Sequence, residues 1–139
     1  MRISAQVQSS RGRHQIKLAT NDQTHSIDIA PKVTGFGSSA NGGELLFLAL
    51  ATCYCNDIYR EAARRGVAVE RVEVEVNGEF GAEGEAARNI AYGAKVWAHA
   101  PEEVIRELMA HTDRVAEVQS TLRSGVPVRL SRIEAYPGS

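Results

Sequence analysis

The chain has 139 residues, of which 43% are hydrophobic and 24% charged, and its net charge is −1. These values are typical of one globular domain over residues 1–139, and a near-neutral charge argues against a nucleic-acid or membrane-surface partner, since both favour a basic field. We recognise no signal peptide, and no apolar run reaches the ~20 residues that span a bilayer. Two cysteines do not make a disulfide framework, so we expect a cytoplasmic protein.

The first 30 residues predict three short antiparallel strands, because three alternating segments are separated by turn residues. The segments are RISAQVQSS, HQIKLAT and THSIDIA, and the turns are RGR and NDQ. A Gly/Ser/Asn-rich loop follows over residues 31–43. Loops of that length within a compact domain are often functional.

A long helix is predicted from about Glu44 to Arg65, where Gly66 stops it. Its first half, from Leu45 to Cys55, is apolar on almost every side, which is typical of a helix that is buried all round. A chain of this size has few other elements to cover such a helix. The pattern therefore favours association of two copies.

The rest of the chain predicts two strands, two helices and a closing strand. VERVEVEVNGEF and ARNIAYGAKVWAHA alternate as strands around the turn AEGEA, and PEEVIRELMAH and DRVAEVQSTLRSG carry the start and stop signals of helices. VPVRLSRIEAY is predicted as the last strand. The resulting order, βββ-α-ββ-αα-β, is an α+β fold with strands and helices segregated.

Two cysteines, Cys53 and Cys55, lie one residue apart in the long helix. At about 100° per residue they face nearly opposite sides, and they cannot easily bond to each other without unwinding the helix. Cys55 lies on an apolar face and is predicted to be buried packing. Cys53 lies where the helix surface changes from apolar to polar, which is the environment that a reactive thiol needs.

The charged neighbours of Cys53 do not favour its ionisation. Asp57 lies one turn away and should raise the pKa of the thiol. Arg60 lies two turns away, roughly 10 Å along the axis, which is too far for the main activating cation. An activating cation would come from another segment, with Arg11 and Arg13 of the first hairpin as candidates. From the residues alone, a chemical role and a structural role for Cys53 both stay open.

No metal site and no bound cofactor are predicted. The four histidines show no ligand spacing relative to one another or to the cysteines, and a C-x-C pair on a helix points its two thiolates apart. The glycines of GFGSSANGG do not form a phosphate-binding loop between a strand and a helix.

Several segments, taken in chain order, resemble one known family. They are the Gly/Asn-rich loop, GGELLFLALATC, the helix ending ARRGV, the strand VERVEVEVNGEF and the late segment TLRSGVPV. Together they are similar to the OsmC/Ohr family of osmotically inducible proteins C and organic hydroperoxide resistance proteins, over nearly the whole chain. The resemblance implies an OsmC-like fold, with antiparallel sheets around a long central helix in an intertwined homodimer.

The resemblance also implies a thiol-dependent peroxidase that reduces organic hydroperoxides. Cys53 matches the family's attacking cysteine, and Arg11 or Arg13 matches its arginine. The family's glutamate falls at Gly43, and its second, resolving cysteine falls at about Ala116. The usual two-cysteine cycle therefore cannot run within this chain.

Two functions stay open. One is a one-cysteine peroxidase for a small hydrophobic peroxide, resolved by an external thiol reductant or by Cys55 after local unwinding. The other is a dimeric, non-catalytic binding protein for a small hydrophobic or electrophilic molecule. Either would use a pocket at the dimer seam, for which the predicted lining residues are Phe36, Glu44, Leu46, Phe47, Leu50 and Cys55.

Overall fold

The computed structural model describes residues 1–138 and shows two compact units, residues 1–48 and the chain from residue 49 onward. The elements are β1 Ile3–Ser10, β2 Arg13–Thr20, β3 Gln23–Ile27, α1 Gly42–Arg64, β4 Ala68–Glu79, β5 Arg88–His99, α2 Glu102–Val115 and α3 Glu117–Ser124. Helices and antiparallel sheets in this order confirm the predicted α+β class. The single domain that we expected over the whole chain stays a prediction.

The N-terminal unit contains a three-stranded antiparallel sheet in the order β1-β2-β3. Its two tight turns are made by residues with positive φ, Gly12 at 72° and Asn21 at 52°. Glycine and asparagine tolerate this left-handed region best. None of the residues in these three strands is fully buried, and Ile3 is 68% exposed.

α1 begins at Gly42, two residues before the predicted start, because Asn41 and Glu44 cap it reciprocally. The backbone N–H of Glu44 donates to the side chain of Asn41 at 2.8 Å, and the N–H of Asn41 donates to the Glu44 carboxylate at 2.9 Å. This is a capping box with asparagine at the N-cap. At the other end Gly66 has a φ of 67°, which confirms the predicted stop. Within residues 1–138, neither α1 nor another helix has the length and apolar character to cross a membrane.

The core of the C-terminal unit lies between α1, α2 and the β4–β5 hairpin. Tyr54, Ile58 and Ala62 of α1 are buried together with Leu108 of α2. A spacing of four residues places the three α1 side chains on one face of the helix. The partly buried side chains packed against this cluster are Val67, Val69, Val72, Val74, Tyr92, Ala94, Val96 and Met109.

The β4–β5 hairpin turns its valines toward the core and its glutamates toward solvent, as the alternation predicts. A bulge between Val69 and Arg71 adds Glu70 as an extra residue on β4. Because the bulge resets the alternation, Val69 and Val72 both pack against the core although they lie three residues apart.

Two predictions for the end of the chain are wrong. The two late helices are separated at Ala116, where ψ is 118°, and not after His111, because α2 continues far enough to bury Thr112. The closing strand predicted over residues 126–136 is not formed within the described chain. A strand needs a neighbour for its backbone hydrogen bonds, and within residues 1–138 that segment joins neither sheet, with Val128 97% exposed.

Candidate functional site

The candidate site is built around the thiol of Cys53, on the side of α1 that meets the start of α3. The sulfur lies 3.6 Å from Oδ2 of Asp57, one helical turn further on, and 3.9 Å from Oε1 of Glu117. The backbone of Val118 also hydrogen-bonds to the sulfur. The thiol is therefore half-buried between two carboxyl groups and the first turn of α3.

Two contacts fix α3 in its place beside the thiol. Gln119 is buried, and its Nε2 donates to the backbone oxygen of Leu50 on α1 at 3.0 Å. Arg123 pairs with the carboxylate of Asp113 on α2 at 2.8 Å, and this pairing holds the pKa of Asp113 below its usual range. α3 is thus anchored to α1 near its first turn and to α2 by its last turn.

Arg60 joins the two carboxyl groups that contact the thiol. Its Nη1 atom lies 3.2 Å from Oδ1 of Asp57 and 2.9 Å from Oε2 of Glu117. Along α1, Arg60 lies two helical turns from Cys53, which is too far for a direct partner of the thiol. The structure connects it to the thiol through the carboxylates instead.

A second layer of charge lies behind Arg60. Glu61 is only 4% exposed, accepts a hydrogen bond from Nε of Arg60 at 3.0 Å, and lies 2.9 Å from both Arg64 and His111. Hydrogen bonding from Arg60, with a further contribution from His111, lowers the pKa of the Glu61 carboxyl. Glu61 is therefore ionised at neutral pH and holds Arg60 in position.

The thiol of Cys53 is protonated at neutral pH. Burial raises its pKa, the hydrogen bond from the backbone of Val118 lowers it, and the charges of Asp57 and Glu117 raise it again. The net direction is upward from a value that already lies above 7 in a free cysteine. This confirms the prediction that Asp57 opposes ionisation of the thiol.

The two carboxyl groups beside the thiol differ in pKa. Burial raises the pKa of Asp57, and its hydrogen bond with Glu117 raises it further. The same hydrogen bond, together with Arg60, lowers the pKa of Glu117. Asp57 is therefore the more basic member of the pair, and pairs whose pKa values are pushed apart are typical of acid–base sites.

The same three residues offer donor atoms that could hold a metal ion. The sulfur of Cys53 and one oxygen each from Asp57 and Glu117 lie within 4.8 Å of one another. Thiolate and carboxylate ligands are acceptable to Zn²⁺. The guanidinium of Arg60, however, already provides a cation for both carboxylates.

The sequence pattern around Cys53 did not indicate Glu117. This residue lies 64 positions further along the chain, on a helix whose placement no local pattern encodes. The one available signal was the resemblance, which put the family's second cysteine at about Ala116, next to Glu117. Ala116 is fully buried at the junction of α2 and α3.

Cys55 is half-buried, which corrects the prediction of a buried packing residue. On the same face, Tyr59 is 45% and Leu48 57% exposed. The sheet and α2 pack against the side of α1 that carries Tyr54 and Ile58, and they leave the Cys55 side partly open in the single chain.

The predicted arginine partners, Arg11 and Arg13, are exposed residues of the β1–β2 hairpin in the N-terminal unit. The hairpin is tied to the glycine-rich loop by a hydrogen bond of 2.7 Å from the N–H of Gly12 to the oxygen of Gly35. A role of either arginine toward Cys53 stays a prediction.

The predicted pocket residues are spread over both units. Phe36 is 56% exposed in the loop, and Glu44 serves the helix cap. Leu46 and Phe47 are half-buried in the first turns of α1, and Leu50 is buried. A pocket that these residues form together stays a prediction.

Comparison with known families gives one match over most of the chain. A model of OsmC, described as OsmC-like protein, matches residues 35–131. These residues include every helix and both strands of the C-terminal unit. No curated protein sequence matches the chain significantly.

Comparison with solved structures gives several likenesses at low sequence identity. An OsmC-like protein from Mycoplasma pneumoniae has a TM-score of 0.60 at 15% identity, over 86% of this chain and 87% of that one. An OsmC-like hydroperoxide resistance protein from Jannaschia sp. CCS1 has a TM-score of 0.53 at 15% identity, over 96% and 91%. An organic hydroperoxide resistance protein from Elizabethkingia anophelis has a TM-score of 0.52 at 15% identity, over 88% and 89%. These likenesses confirm the predicted OsmC-like fold.

Proposed function

The chain belongs to the OsmC-like family, and on that premise we propose that it is a thiol-dependent peroxidase that reduces organic hydroperoxides in the defence against oxidative stress. The observation that carries the proposal is the half-buried thiol of Cys53, at the position that matches the family's attacking cysteine and within reach of two carboxyl groups. The names of the Jannaschia and Elizabethkingia proteins, both of hydroperoxide resistance, support the same substrate class.

In the proposed reaction the thiolate of Cys53 attacks the distal oxygen of the hydroperoxide. The S–O bond forms, the O–O bond breaks, and the alkoxide leaves as an alcohol after it takes a proton, so that Cys53 becomes a sulfenic acid. One external thiol then displaces water and forms a mixed disulfide with Cys53. A second external thiol restores Cys53 and leaves as a disulfide with the first.

The external thiol is part of the proposal because the chain offers no internal partner in the usual place. Ala116 occupies the position that matches the family's second cysteine, and it is buried. Cys55 lies two residues from Cys53 on a continuous helix, so the two thiols point to different sides.

We include a homodimer in the proposal, because many apolar side chains lie exposed in the single chain. They occur on the N-terminal sheet, on α1 and in the C-terminal segment, and they include Ile3, Val7, Leu48, Val128 and Leu130. Exposed apolar surface of this extent is typical of an interface. Size-exclusion chromatography with light scattering should give about twice the 15.1 kDa of one chain, and a monomer at micromolar concentration would contradict the dimer.

The peroxidase is tested by titrating the reduced protein with cumene hydroperoxide while sulfenic acid at Cys53 is trapped and followed by mass spectrometry. We expect oxidation faster than that of free cysteine, full loss in Cys53→Ser, and normal oxidation in the matched control Cys55→Ser. Oxidation no faster than that of free cysteine would refute the proposal.

Binding without turnover is a second candidate function, favoured by the raised pKa of the Cys53 thiol, which leaves little thiolate at neutral pH. In that case the protein would hold a small hydrophobic or electrophilic molecule. Cys53→Ser would then still bind a hydrophobic probe as the wild type does, and the wild type would show no accelerated oxidation.

A further inference from the structure

We propose that Asp57 and Glu117 are the acid–base pair of this site, in which Asp57 takes the proton of the Cys53 thiol and Glu117 delivers a proton to the leaving alkoxide. The inference rests on the proposed peroxidase function and adds the groups that move its protons. It assigns catalytic roles to two residues that lie on different helices and meet only in the folded chain.

The positions of the two carboxyl groups suit these different roles. Asp57 is 6% exposed and accepts the S–H of Cys53 at 3.6 Å, so it is a sheltered base beside the nucleophile. Glu117 lies 3.9 Å from the same sulfur, and its side chain is 61% exposed, so it lies on the open side from which a peroxide can approach. One oxygen of each carboxyl group and the sulfur all lie within 4.8 Å of one another, so the sheltered base and the open carboxyl group are neighbours.

The order of basicity agrees with this direction of transfer. Asp57 is the stronger base of the pair and is the better acceptor for the thiol proton. Glu117 is the stronger acid and is the better donor to an alkoxide. Both carboxyl groups start ionised beside Arg60, the proton that Asp57 takes from the thiol passes to Glu117 and on to the alkoxide, and the pair ends in its starting state.

The S–H bond breaks and its proton goes to Asp57, while the sulfur lone pair forms a bond to the distal oxygen of the hydroperoxide. The O–O bond breaks, and its electron pair leaves on the alkoxide. The proton passes from Asp57 to Glu117 and from Glu117 to the alkoxide, which becomes the alcohol. Sulfur is oxidised to the sulfenic acid, the peroxide is reduced to the alcohol, and both carboxyl groups end ionised, as they began.

Arg60 is the positioning residue of the pair. Its Nη1 atom contacts both carboxyl groups, at 3.2 Å for Asp57 and 2.9 Å for Glu117, and holds them at one place. Glu61 fixes the other edge of the guanidinium, and His111 of α2 reaches the cluster only through Glu61. Arg60, Glu61, His111 and the thiol of Cys53 are thus the titratable and charged groups that face the two carboxyl groups from α1 and α2.

The test compares two oxidants in the variant Glu117→Gln. Cumene hydroperoxide leaves as a strongly basic alkoxide that needs a proton, whereas peracetic acid leaves as acetate, which does not. We expect Glu117→Gln to lose about 100-fold or more in the rate of Cys53 oxidation by cumene hydroperoxide, which is the usual contribution of general acid–base catalysis. With peracetic acid we expect a change of only a few fold.

The ratio of the two losses is the readout, because a disturbed fold or an altered thiol pKa would affect both oxidants alike. Asp57→Asn should slow the reaction with both oxidants, because it removes the base that takes the thiol proton. Loss of the Asp57 charge alone would instead lower the pKa of the thiol and speed both reactions. Glu102→Gln on α2, whose side chain is 82% exposed, is the matched control and should change neither rate.

The outcomes separate this inference from the function on which it rests. In Glu117→Gln, equal losses with both oxidants or no loss with either would overturn the acid–base pair, and so would an unchanged or faster reaction in Asp57→Asn. A fast wild-type reaction would still uphold the peroxidase. A wild-type reaction with cumene hydroperoxide no faster than that of free cysteine would overturn both.

Discussion

Two sides of the same helix are held by different forces. On one side of α1, Tyr54, Ile58 and Ala62 pack against the β4–β5 hairpin and Leu108, and they form the core of the C-terminal unit. On the other side, Cys53 lies in a network of carboxylates and arginines that connects α1 to α3. Burial of apolar surface stabilises a fold, whereas burial of charge tends to cost free energy and is kept where it serves a purpose.

The stability of the C-terminal unit and the reactivity of the Cys53 thiol therefore depend on opposite sides of α1. A change in the packed side should unfold the unit without altering the chemistry of the thiol in the molecules that stay folded. A change in the polar side should alter the thiol while the unit stays folded.

The strongest test on the packed side is Ile58→Ala. Ile58 is fully buried at the centre of the core, so its truncation leaves a cavity and should lower the free energy of unfolding by about 3 kcal/mol. Urea unfolding followed by circular dichroism measures this loss. The pH dependence of Cys53 alkylation should match the wild type, and a shifted profile would show that the two sides are coupled.

The polar side should affect stability mainly through pH. The pKa of Glu61 is lowered in the folded state, so its contribution is present above its unfolded pKa and is lost as the pH falls through the folded value. The wild type should therefore lose stability in acid, below the ordinary range of a glutamate pKa. Glu61→Gln should lose part of this acid dependence in thermal unfolding from pH 7 to pH 3. An unchanged pH profile would contradict the role of Glu61.

Arg60→Gln tests how the network acts on the thiol. Without the guanidinium, the negative charges of Asp57 and Glu117 are less compensated, and the pKa of the Cys53 thiol should rise further. Alkylation by iodoacetamide at pH 8, below that pKa, should become slower than in the wild type. Arg106→Gln is the matched control, because Arg106 pairs only with an exposed carboxylate on its own helix, and alkylation at least as fast in Arg60→Gln would refute the connection.

Cys55→Ser should have the smallest effect. Cys55 is half-buried and lies away from the carboxylate network, so the change should alter the free energy of unfolding by no more than about 0.5 kcal/mol. Oxidation of Cys53 by cumene hydroperoxide should proceed at the wild-type rate. A variant that accumulates over-oxidised Cys53 would instead indicate that Cys55 resolves the sulfenic acid.

The local order of the fold could be predicted from the sequence because short-range geometry determines it. Alternating valines and glutamates indicated β4, and Gly66 and Gly125 end their helices in the left-handed conformation, as predicted. The contact between Cys53 and Asp57 follows from a spacing of four residues on a helix. In each case the partners lie within one element, so their relation depends only on backbone geometry.

The bulge on β4 and the missing last strand show where local patterns fail. Glu70 and Arg71 stand together between two valines, and this break in the alternation becomes a bulge only through the pairing of β4 with β5. The segment 126–136 alternates as a strand does, but within residues 1–138 it joins neither sheet. Pairing is a property of two segments, and alternation is a property of one.

For the candidate site, the sequence indicated Cys53 as the candidate thiol, on the polar border of a long helix, and placed Cys55 on a different side of that helix. The surroundings of the thiol depend on the tertiary structure. Glu117 reaches the sulfur from 64 residues away because Gln119 and Arg123 anchor α3, and Arg60 acts through carboxylates from two helices. Helical geometry fixes the first set of relations, whereas the second depends on how three helices pack, which is settled by the free energy of the whole unit.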